Sequence, residues 1–272
     1  MVIALDAGHG YNTSGKRCLK SLDPNQTREW YLNDRIMDIV ESELKKYYEC
    51  TPLRVDDTTG EKDISLSARV KAANQAKAKV YVSVHHDAGI NGRLIGAKGK
   101  KAGGTTVYYY SSNLNRAAQA VRLYNKIISR TGLSGDRAEP VQKHGYYVLK
   151  NTTMPAFLIE NGFMDSPTDV PIITSLDHAE RTAKGIVNFL AVEYSLQPKN
   201  VVNEAPAQSQ TYPAYTGEKT TLYNALAALG IDNTYSFRKK IAAANGITGY
   251  CGTATQNTRM YNLLVAGLLK KA

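Results

Sequence analysis

The chain has little of what would place it in a membrane, a disulfide scaffold or a disordered tail. No stretch of its 272 residues approaches the roughly 18 uninterrupted apolar residues that a spanning helix requires. Its three cysteines, Cys18, Cys50 and Cys251, are odd in number and far apart, which fits neither a disulfide framework nor the close pairs of a thiolate zinc site. No basic leader precedes the opening segment MVIALDAGHG, and Asp6 interrupts its apolar run. The sequence therefore predicts a product made in the cytoplasm without a secretory signal peptide. Charged residues make up 21% of the chain against 43% hydrophobic ones, too apolar a mixture for intrinsic disorder.

What is present is a positive charge and an alternating pattern. Lys and Arg number 34 against 24 Asp and Glu, leaving +10, which by itself suits nucleic acid, an anionic membrane surface or anionic wall polymers equally well. Through about residue 195, β-type apolar runs alternate with helical stretches. The runs are 2–6, the region around 53–55, 80–85, 105–110, 146–149 and 156–160. Helical periodicity covers 28–48, 64–78, 113–130 and 176–194; in the first of these Leu32, Ile36, Ile39, Val40, Leu44 and Tyr47 recur at three- and four-residue spacing. The pattern predicts an α/β domain, with a mostly parallel sheet and helices on both faces. Residues 196–217 are rich in proline and small polar residues and read as a linker. Residues 218–272 carry helical patches between Gly and Asn and no convincing strand, so a small, mainly helical second domain is expected. The part beyond residue 200 has seven Lys/Arg and three Asp/Glu, a net 7 − 3 = +4, a large share for its size and suited to a targeting appendage.

Five histidines narrow the chemistry. His9 lies between two glycines where the first run ends, and His85 and His86 end the third, the position at which open α/β sheets place their ligands. Two histidines and one carboxylate make a hydrolytic zinc site with a coordination position left for water. Glu29, at the entry to the first helix and off its core face, is the candidate carboxylate. Glu160 ends the most apolar run, MPAFLIE, where an acid is costly unless it faces a site. His178, at the start of the last helix of the domain, is expected to be exposed, and His144 beside Gly145 is a weaker candidate for a cleft. Residues 89–104, rich in Gly and Lys, read as a solvated loop or as one that contacts anionic substrate.

In order, the segments LDAGHG, Glu29, LSARVKAANQAKAKVYVSVHHDA, GGTTVYYY and MPAFLIENGFMDSP resemble the signature of the zinc-dependent N-acetylmuramoyl-L-alanine amidase family, Amidase_3, across residues 1–193. The resemblance implies one zinc ion held by His9, Glu29 and His85, with His86 a variable neighbour that strand alternation turns away. It implies Glu160 as the catalytic acid and base, and hydrolysis of the amide joining N-acetylmuramic acid to L-Ala of the stem peptide. Asp87 stands where the family usually has Asn. Asp6 is the expected acceptor that fixes an imidazole tautomer. The tail, from GITGYCGTATQNT onward, resembles modules ending lytic enzymes of clostridial phages, which implies wall binding and an endolysin released from the host cytoplasm to act on peptidoglycan and its anionic polymers. On that footing the charge serves the wall and not nucleic acid. A host autolysin is the alternative within the same activity, and a non-catalytic wall-binding protein one outside it. A nucleotide-binding loop is a further alternative: residues 10–16, GYNTSGK, follow a strand, but Arg17 stands where Ser or Thr is needed for magnesium.

Overall fold

The computed structural model describes residues 1–88, 103–111, 114–135, 139–199 and 210–272. The chain divides into two compact units, residues 1–200 and 201–272. In the first unit six strands, β1 (Val2–Ala7), β2 (Thr51–Arg54), β3 (Val80–Asp87), β4 (Thr105–Tyr109), β5 (Val141–Lys143) and β6 (Ala156–Phe163), form one sheet in the order β2-β1-β3-β6-β4-β5. All pairings are parallel except β4 with β6. Six helices accompany it: α1 (Glu29–Tyr47), α2 (Leu66–Gln75), α3 (Leu114–Thr131), α4 (Tyr147–Asn151), α5 (Val170–Ile173) and α6 (Leu176–Glu193).

Strand alternation builds a core on each face. Ile3, Leu5, Val80, Val82, Val84, Phe157 and Ile159 point to one side, where Met37, Val40 and Leu44 of α1, Leu123 and Ile127 of α3 and Ile186, Phe189 and Leu190 of α6 cover them. The residues between, Ala4, Tyr81, Ala156 and Leu158, point to the other side, against Val70 and Ala73 of α2 and Val148 and Leu149 of α4. Each fully buried aliphatic side chain stabilises the fold by about 1.5–3 kcal/mol. Phe157 meets Phe189 edge to face at 5.7 Å across the larger core. The α/β architecture is thus the expected one.

Two elements differ from expectation. The run at 146–149 is not a strand but the helical turn α4, in which Leu149 and Lys150 both donate to the Tyr146 carbonyl. Four apolar residues cannot by periodicity distinguish a buried strand from one helical turn. The sheet takes its sixth strand instead from β5, whose polar sequence VQK has no strand signal and is held at the edge by parallel pairing with β4.

The second unit is helical, with α7 (Leu222–Ala228), α8 (Tyr235–Ala244) and α9 (Ala254–Val265). Thr221, Thr234 and Thr253 each cap a helix through the side-chain oxygen, and Thr253 with Gln256 completes a capping box. Leu222, Leu226, Ile241, Ile247, Met260, Leu264 and Leu269 form its core. Of the stretch expected as a linker, both described ends are ordered. Leu196 is buried and Pro198 bridges to Tyr48 in the first unit. Tyr212 and Tyr215 donate to the Leu269 and Leu264 carbonyls of the second. Residues 200–209 and most of the expected contact loop at 89–104 lie outside the described residues. Among the described residues no helix is long and apolar enough to cross a membrane, and all three cysteines are free.

Candidate metal centre and active site

The site forms at the carboxyl ends of β1, β3 and β6, on the α2 side of the sheet. His9 follows β1 in a turn whose own φ is +67°, a left-handed conformation uncommon outside glycine. Gly8 is required for a different reason: a Cβ there would fall inside the His85 ring. His85 and Glu160 are register partners on adjacent strands and so lie side by side on one face. Glu29 opens α1 and is buried, 1% exposed, rather than sitting on an open helix flank. It turns inward beneath the strand ends because its helix starts there.

His9 Nε2 lies 3.3 Å and His85 Nδ1 3.1 Å from Glu29 Oε1, and these three ligand-capable atoms fall within 4.8 Å of one another. The two imidazoles meet at right angles with centroids 4.9 Å apart. The Glu29 carboxyl is held well below the usual carboxylate range, burial being outweighed by hydrogen bonds and charge from His85 and His9. Glu160 moves the opposite way, pushed up to about 8 by burial first and then by the negative charges of Glu29 and Asp87, with His85 opposing. Its Oε2 is buried and has no protein partner. Asp87, the residue that departs from the family pattern, therefore acts on the Glu160 carboxyl through its charge. Two nitrogen donors and one carboxylate, adjacent to an acid with a raised pKa, suit a divalent cation such as zinc, and Glu160 is not among the three.

His86 points through the other face of the strand. Its Nδ1 lies 2.7 Å from Asn33 Oδ1, while Asn33 donates to the Gly8 carbonyl. Burial pushes this imidazole down to about 3. The expectation for His178 is corrected: it is 2% exposed and packs against β6, its Nε2 3.0 Å from the Asn161 side-chain nitrogen. Helix α6 is covered on that flank by the sheet, which the start of a helix does not reveal. His144 is exposed and stacks with Tyr146 at 3.9 Å near the β4–β5 edge, away from His9, Glu29 and His85.

Asp6 does not orient an imidazole. Its carboxylate accepts from Arg69, from the Tyr81 hydroxyl at 2.8 Å and from the Ser83 hydroxyl at 2.7 Å; it shares the sheet face of His85 but lies in register with Ser83, one same-face step back from the strand end, where these donors take it up. Sequence reasoning missed Arg69, Asn33, Asp63 and Lys16. Lys16 Nζ lies 3.4 Å from Glu29 Oε2. That ion pair, with helix α1 beginning only at Glu29, leaves residues 10–16 without the helix N-terminus that a nucleotide-binding loop needs. Arg69 had one sequence signal, a basic residue on the α2 stripe shared with Val70 and Ala73.

A model of the Amidase_3 family, N-acetylmuramoyl-L-alanine amidase, matches residues 3–192. The chain belongs to this family. Its first unit is similar to the probable cell wall amidase LytH of Staphylococcus aureus, 28% identical over 196 residues. That match covers 71% of this chain and 58% of LytH, so the Amidase_3 chain spans less than two thirds of that relative's length. Among solved structures, the catalytic domain of CwlV, an N-acetylmuramoyl-L-alanine amidase from Bacillus (Paenibacillus) polymyxa, superposes with a TM-score of 0.61 at 26% identity, covering 72% of this chain and 99% of that one. An N-acetylmuramoyl-L-alanine amidase from Clostridium difficile 630 gives 0.60 at 25% identity, covering 71% and 96%. The Amidase_3 match stops before the helical second unit.

Proposed function

We propose that this Amidase_3 chain is a zinc-dependent peptidoglycan amidase that hydrolyses the bond between N-acetylmuramic acid and L-Ala of the stem peptide. The observation that carries this is the meeting of His9, Glu29 and His85 within ligand distance of one another, with Glu160 the register neighbour of His85. Zinc held by those three residues supplies a Lewis acid for the scissile carbonyl and makes water a better nucleophile near neutral pH.

The remaining steps belong to the protein. Glu160 accepts a proton at Oε2 from the attacking water and passes it to the departing amide nitrogen, since an amine leaves only once protonated. Burial raises this carboxyl in the metal-free protein and a cation beside it would draw it back down, a balance that suits a group which must both hold and release a proton near neutrality. The sheet and α1 fix the ligands on rigid elements, so little reorganisation is needed when the carbonyl arrives.

The second unit, with its separate core and its surplus of basic residues, serves in this proposal to hold anionic wall polymers, and its likeness to the tails of phage lytic enzymes favours an endolysin over an autolysin. Glu160→Gln tests the assignment. Zinc should remain bound at the wild-type ratio while sacculi treated with the variant release no new L-Ala amino termini. Wild-type digestion should create those termini without new reducing sugars. Persistent cleavage by the variant overturns the role of Glu160, and loss of its zinc overturns the ligand assignment.

A further inference from the structure

The turn that presents His9 is held from outside the ligand set. Arg69 is buried, 1% exposed, and all five of its N–H groups are used. Nε donates to the Ile64 carbonyl at 2.8 Å. One terminal nitrogen donates to Asp6 and to the Ala7 carbonyl at 2.7 Å, the other to the His9 carbonyl at 2.9 Å and to Asp63 Oδ1 at 3.1 Å. The guanidinium thus grips carbonyls on both sides of Gly8 and compensates the left-handed backbone of His9.

The same guanidinium places a second carboxylate beside the His9 ring. Asp63 Oδ2 lies 3.9 Å from His9 Nδ1, the nitrogen facing away from Glu29. Each oxygen of Asp63 is separately anchored. Oδ1 accepts from Arg69 and Oδ2 accepts from the Thr13 hydroxyl at 2.7 Å, whose oxygen in turn accepts from the Gly10 N–H at 3.0 Å. The separation of 3.9 Å lies in ion-pair range and closes to a hydrogen bond by a small ring rotation or through one water.

The geometry points to Asp63, fixed by Arg69 and Thr13, as the positioning residue that holds a proton on His9 Nδ1 and so presents Nε2 to a metal at Glu29. Metal-bound histidines generally donate their other N–H to such a partner, and its loss lowers metal affinity by about 10- to 100-fold. This inference rests on His9 being a metal ligand, as proposed above. No residue within the metal-binding trio supplies the contact, and Asp6 is fully engaged elsewhere.

Asp63 is 45% exposed, so its replacement removes no buried group. Zinc dissociation constants would be measured by chelator competition on the full chain for wild type, Asp63→Ala, Asp63→Asn and the exposed control Glu61→Ala. Ring 15N shifts of His9 would be recorded in each zinc-loaded protein. Asp63→Ala should weaken zinc by about tenfold or more and lose the Nδ1–H signature, Asp63→Asn should recover part of the affinity through its amide oxygen, and Glu61→Ala should match wild type. An Asp63→Ala constant within twofold of wild type, or an equal loss in Glu61→Ala, overturns the inference. Failure of wild type itself to bind zinc overturns the amidase proposal instead.

Discussion

Acid should weaken the first unit through His178, a buried histidine outside the His9, Glu29 and His85 trio. Burial, helped by the charge of Arg35, pushes His178 from its ordinary 6.5 down to about 4. The folded state therefore binds the proton less readily than the unfolded chain. Stability from this group is complete above about pH 6.5, is lost as pH falls toward 4, and reaches its floor below that. At pH 5 the two states differ in proton binding by a factor of about 30, or about 2 kcal/mol, and the full shift is worth about 3 kcal/mol. Other groups titrate in the same range with opposite signs, His85 and Glu160 among them, so a single pH profile does not isolate the effect. The variant His178→Gln does, because both proteins share those groups and Gln retains an acceptor for Asn161. Zinc-free protein would be unfolded in urea at pH 8 and pH 5, following the fluorescence of Trp30, the chain's one tryptophan, which is buried in the first unit. Wild type should lose about 2 kcal/mol more than His178→Gln between the two conditions. A difference below about 0.5 kcal/mol would refute the claim that His178 is held neutral.

Gly8→Ala should displace the His85 ring, since the added carbon and that ring cannot occupy the same space, and chelator competition should show zinc weakened by about tenfold or more with the fold retained. Leu226→Ala, in the core of the second unit, should destabilise that unit by about 2–5 kcal/mol in hydrogen exchange while leaving the Trp30 unfolding transition unchanged.

Much of the candidate site was legible because its residues announce themselves by position. His9 and His85 end apolar runs, Glu160 ends the most apolar one, and Glu29 precedes a strong helical period. Where reasoning failed, the deciding contact was long-range. Asp6 and Asp63 are both acids near the His9 turn, and nothing in their spacing says which one reaches an imidazole. Register sets Asp6 beside Ser83, one same-face step short of His85, where Arg69, Tyr81 and Ser83 engage it, while Asp63 arrives from a loop 54 residues away in sequence from His9. His178 shows the same limit: a first-turn helix residue is exposed or buried according to what lies across from it, here Asn161 of β6.

By itself the sequence determined the alternation of strands and helices, the two-part organisation and the candidate ligands, because period, turn residues and costly acids are local signals. Only the tertiary structure decided which face each strand end presents, that Glu29 is buried against both imidazoles, and that Arg69 donates to the two carbonyls flanking Gly8. Those outcomes depend on register between β1, β3 and β6 and on the docking of α1 and α2, where a shift of one residue would turn each side chain to the opposite face.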